Sequence, residues 1–217
     1  MQKTIIGDKL KWKVLVMLYM ETYHYRDLLK AHKIYRLHEG RWRFYDAYMS
    51  SKDSEAWFRS PKIPLREGLL LFGFVQSWDP NFKGELTKFL QTYEDLFEII
   101  FKLKDKSILE INLTDSVKNS IALMFDRIAI SSRGRRYEST DTSKILHAII
   151  PRLFVMWDDK IRRATVKEGR DGRCYAFEFL PQMQRLALNF VESYMHEKGV
   201  NRVDACERIS LMADGYT

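Results

Sequence analysis

Between residues 80 and 104 apolar side chains return every three or four positions: Phe82, Leu86, Phe89, Leu90, Tyr93, Leu96, Phe97, Ile100 and Leu103. At 3.6 residues per turn these gather on one face of a helix, whereas the two-residue alternation of a strand would scatter them. A stripe this long must be covered by other apolar surface. Comparable patterns along the chain supply it, so the stripe predicts a helix-on-helix fold with this segment as its spine.

The other patterns are read in the same way. Residues 8–22 place Trp12, Leu15, Val16 and Tyr19 on one face after an Asp8 cap, and 25–37 do so with Leu28, Leu29, His32 and Tyr35. Pro64 suits a first helical turn, where its missing N–H costs nothing, and Leu65, Leu69, Phe72 and Val75 mark a buried face up to Asp79. Gly68 and Gly73 would permit a close helix contact there. Thr114 is placed to cap a helix burying Val117, Ile121, Met124, Phe125 and Ile128. Two more helices are expected over 176–198, stopped by Gly199, and 202–213. Residues 38–62 mix aromatics, arginines and turn-formers and read as an irregular connection. Only ILEINL, 108–113, is arguable as a strand. The expected class is all-α, one domain over 1–217.

A chain of 217 residues, 46% hydrophobic, can bury a core without covalent staples. Its two cysteines, Cys174 and Cys206, form no CxxC pair, no leader pattern opens the sequence, and no apolar run approaches the ~20 residues of a membrane span. A soluble protein of the cytoplasm is the expectation. The formal charge of +7 is concentrated in two blocks. Residues 1–62 carry 13 Lys/Arg against 7 Asp/Glu, and 133–173 carry 11 against 6. Such blocks suit a polyanionic partner. The histidines His24, His32 and His38 have no zinc spacing, and no phosphate-binding loop or dinucleotide fingerprint occurs, so neither a metal nor a cofactor is expected.

One segment has the makings of a site: TSKILHAIIPRLFVMWDDKIRR, 142–163. As local structure, Thr142 or Ser143 would cap a short helix, Pro151 would end it, LFVMW would cross the core, and Asp158 would cap a new turn. As chemistry, Lys144 opens a helix and Asp158 precedes Asp159-Lys160-Ile161-Arg162-Arg163, an order that resembles the active-site motif of helix-hairpin-helix DNA glycosylases. The resemblance implies a DNA partner, Lys144 as the amine that attacks the sugar C1′, and Asp158 as the carboxylate that supports loss of the base. It further implies stacking of a flipped base on Trp157, Phe154 or an aromatic of the 42–58 stretch, and phosphate contacts from Arg133, Arg135, Arg136, Lys160, Arg162 and Arg163. The family's glycine-rich hairpin has no counterpart, since YESTDT, 137–142, stands in its place, and Lys144 and Asp158 are only 14 residues apart. The LHxxxPxLFxMWD core is also similar to a motif of prokaryotic, including archaeal, helical proteins. The alternative is a non-catalytic helical module for nucleic acid or a protein partner, with Asp158 a cap and Lys144 a surface charge.

Overall fold

A computed structural model describes residues 23–38, 40–131, 138–166 and 168–213. The helix expected over 8–22 and the residues Arg133, Arg135 and Arg136 lie outside that range. Among the described residues there are ten α-helices and no strand, as the periodicities require. They are α1 Tyr25–His38, α2 Trp42–Ser51, α3 Ala56–Arg59, α4 Leu65–Trp78, α5 Leu86–Leu103, α6 Asp115–Ser131, α7 Ser139–Ile149, α8 Asp159–Thr165, α9 Leu180–Lys198 and α10 Arg202–Ala213, with a π-helical turn, Cys174–Phe179, leading into α9. None of these helices is long and apolar enough to cross a membrane.

The α5 stripe is buried through Phe89, Tyr93, Leu96, Ile100 and Leu103 and packs on α6, whose Ile121, Met124, Phe125 and Ile128 are fully buried. Thr114 caps α6, its hydroxyl accepting from the Val117 N–H. The helix start expected at Pro80 is instead a turn: the Asp79 carboxylate accepts from the Asn81 N–H at 2.9 Å, and Phe82 folds back over Gly84. Gly68 does permit a close approach, a Cβ there lying 2.9 Å from Leu86, whereas Gly73 faces open space.

Two expectations are corrected. Residues 38–62 are not irregular, because Trp42, Tyr45 and Tyr48 recur at helical spacing in α2, and α3 carries Trp57 into the core. ILEINL is not a strand. Ile111 donates to the Ser107 carbonyl at 2.9 Å, and the Gln184 side chain of α9 donates to the carbonyls of Ile108 and Ile111, closing a pinned turn.

Helix α7 lies in the middle and is buried nearly all round, polar residues included. It begins at Ser139, so Thr142 and Ser143 do not cap it. They donate back to the Glu138 carbonyl at 2.6 Å and the Thr140 carbonyl at 2.7 Å, satisfying hydroxyls that the core would otherwise strand. Most helices share this large core. A second, smaller cluster joins α1 to α9 and α10 through Tyr25, Val191, Ala205 and Ile209.

Candidate functional site

A cavity of about 610 Å³ opens at the seam between the two clusters. Helix α1 contributes Leu28, His32, Tyr35 and Arg36; α2 contributes Trp42, Tyr45 and Asp46; α9 contributes Met183, Leu186, Ala187 and Phe190. The remaining side is α7 and the extended crossing after it, which bring Lys144, His147, Pro151, Arg152 and Asp158 to the wall. Its size and mostly apolar lining with a few polar groups are those of a small-molecule or nucleobase pocket.

Lys144 is not a surface charge. Its side chain is 8% exposed, and the ammonium donates to Asp141 at 3.0 Å, one helical turn back on α7, whose side chain is 4% exposed. Burial pushes the Asp141 acid group above its ordinary range, and the Lys144 cation pulls in the opposite direction. Asp158 caps α8 as expected, its Oδ1 accepting from the Ile161 N–H at 2.8 Å, while the residue as a whole stays exposed.

His147, one turn after Lys144, is satisfied at both ring nitrogens. Nδ1–H donates to the Phe154 carbonyl at 2.6 Å, which leaves Nε2 to accept from the Tyr45 hydroxyl at 3.0 Å. Burial lowers its pKa to about 4, so the ring is neutral at pH 7. Lys52 donates to the Ala148 carbonyl on the same helix at 2.9 Å.

No family model, no curated protein and no solved structure matches this chain. What the site can do therefore follows from its own groups.

Trp157 and Phe154 border the cavity but offer it almost no free surface. Each is 1% exposed, and Trp157 sits in a ring cluster with Phe125, Tyr175 and Phe179, its indole N–H held by the Ser139 carbonyl at 3.0 Å. The aromatic surface facing the space comes instead from Trp42, Tyr45, Tyr35 and Trp78. Of the cations expected on phosphate, Arg162 and Arg163 both turn to Asp159, at 3.0 and 3.3 Å, and hold its carboxyl below the ordinary range. Lys160 is exposed with no ion-pair partner among the described residues. The three spaced histidines join no group suited to a metal among those residues.

Sequence reading offered an aromatic of the 42–58 stretch without singling out Tyr45, and missed Arg152, Asp141 and the α9 wall as site residues. Arg152 stands between Pro151 and the LFVMW crossing, in a stretch that reads as a connector. Asp141 becomes legible only when α7 is started three residues earlier, since it then stands at i−3 from Lys144.

Proposed function

We propose that the protein binds nucleic acid and draws an unstacked or damaged nucleotide into the cavity, in the manner of base-excision enzymes. The observation that supports this is the presence of both Lys144, on α7, and Asp158, at the cap of α8, on the wall of one aromatic-lined cavity. Trp42 and Tyr45 would stack the base, and the Asp158 carboxylate would stabilise positive charge on the sugar. The Lys144 amine must shed a proton before it attacks C1′, and Asp141 is the adjacent acceptor. At the C1′ aldehyde left once the base has gone, the amine adds to the carbonyl, the proton held by Asp141 leaves with the former carbonyl oxygen as water, and the resulting iminium again faces a carboxylate, so the pair stays neutral throughout in a nearly dry place. Two free cysteines fit a reducing cytoplasm.

The same ion pair favours a second reading, a binding module without chemistry in which Asp141 simply neutralises Lys144. Borohydride trapping on a duplex carrying an abasic site separates the two. A covalent adduct that disappears in Lys144→Gln supports the lyase, and no adduct from well-folded protein leaves the module. Removing Lys144 alone strands the Asp141 charge, at a cost of about 3–5 kcal/mol, so Lys144→Gln with Asp141→Asn is the folded control.

A further inference from the structure

The elbow joining α1 to α2 carries the other half of a binding surface. Residues 30–43 hold five Lys/Arg against one Glu, and aromatic residues interleave them: Tyr35, Arg36, Arg41, Trp42, Arg43, Phe44. In space the Arg36 guanidinium lies 4.1 Å from the Trp42 ring centre and Arg43 lies 5.4 Å from it. The Trp42 indole N–H donates to the Arg36 carbonyl at 3.0 Å, and Arg36 also pairs with Asp46, which together lock the elbow. Arg41 reaches over to the Trp78 carbonyl at 3.3 Å. Phe44 is 50% exposed, and Tyr35 on α1 is exposed as well. Arg36, Arg41, Trp42 and Arg152 also line the cavity, so the elbow and the cavity are continuous. Arg43 and Arg152 are exposed and make no ion pair among the described residues.

We propose that this elbow, with Arg152, is a surface for single-stranded nucleic acid, its phosphates held by Arg41, Arg43 and Arg152, its bases stacked on the exposed rings, and one base directed into the cavity. The inference rests on the nucleic-acid reading above and names where the strand runs. Arginines alternating with aromatic rings suit a strand whose bases are unstacked, because cations track the phosphates while every base offers a face to a ring. An acidic peptide would use the cations and leave the rings idle. The surface also replaces the phosphate contacts expected from α8, whose Arg162 and Arg163 already share the Asp159 carboxylate.

Fluorescence anisotropy of a labelled oligothymidylate, titrated with salt, tests the surface. The wild-type protein is expected to bind, with affinity falling as salt rises. Arg43→Glu combined with Arg152→Glu should weaken binding at least tenfold. Removing two phosphate-binding cations, at ~0.7 each for a single strand, should also flatten the log–log salt slope by about 1.4. Phe44→Ala should weaken binding roughly fivefold or more by removing a stacking ring. Arg163→Glu should change it less than twofold. All four positions are exposed, and circular dichroism verifies the folding of the variants. Wild-type affinity in the double variant, a larger effect in Arg163→Glu, or displacement of the strand by polyglutamate as effectively as by unlabelled strand would overturn the surface. Trapping on the abasic duplex without any single-strand binding would overturn the surface alone, and absence of both would remove the nucleic-acid reading with it.

Discussion

His147 shows how a polar side chain is tied into the cavity wall, and the tie is pH-dependent. The neutral ring donates from Nδ1 to the Phe154 carbonyl and accepts at Nε2 from Tyr45. Protonation would place a second donor opposite the Tyr45 hydroxyl inside the wall, and burial lowers the pKa from 6.5 to about 4. The unfolded chain takes up its proton near pH 6.5 while the folded one resists until about pH 4. The contribution to stability is thus complete above pH 6.5 and is lost as the pH falls between those values, with an upper bound of roughly 3 kcal/mol. Urea midpoints measured across this window should fall, and in His147→Gln the fall should shrink; an unchanged profile in the variant would assign it to other groups. In the sequence His147 stands one turn after Lys144, but its partners lie seven residues on at Phe154 and on α2 at Tyr45. A local pattern cannot display bonds made across the fold.

At the scale of elements, the helices with unbroken stripes were legible and the interruptions were not. α5 and α6 follow their apolar periods, and Gly199 ends α9 in the left-handed conformation at φ 65°. By composition GRDGR, 169–173, is a turn or a mobile loop, yet its second glycine is a packing point. A Cβ on Gly172 would stand 2.2 Å from the Ala122 carbonyl of α6, and the Gly172 N–H donates to Asp126 at 2.6 Å. The following π-helical turn runs into Pro181, where the ring could not accept an ordinary α-helical turn behind it. Gly172→Ala should push α6 away from this junction and cost about 2–3 kcal/mol, since the obstacle is backbone and cannot rotate aside. Thermal unfolding measures it. A shift no larger than that of Gly40→Ala, where an added Cβ meets nothing within 4 Å, would mean that the junction relaxes freely.

Over the whole molecule, the cavity lies where α1, packed in the smaller apolar cluster, reaches across to α2 on the large core without filling the seam. Its start is fixed to α9: the Tyr25 hydroxyl and Arg26 both donate to the Glu197 carboxylate at 2.6 Å, and the Tyr25 N–H donates to Ser193 at 2.9 Å. Its end is fixed to α2 by Arg36 with Asp46 and by the Trp42 indole. The Arg26 hydrogen bond, then that of Tyr25, holds the Glu197 carboxyl down to about 2, so the α9 anchor is present above the ordinary carboxylate pKa of 4.5 and weakens as pH falls toward 2. Glu197→Gln keeps the size of the side chain and removes the charge at any pH. Because α1 packs on α9 and α10 and the large core lies elsewhere, loosening this anchor should act locally. Hydrogen exchange should therefore quicken across α1 in the variant while α5 and α6 keep their protection, and ligand entry at the cavity should quicken with it. Uniform loss of protection through α5 and α6 would show that the two clusters unfold as one unit, and the seam would then be a fixed pocket wall rather than a hinged one.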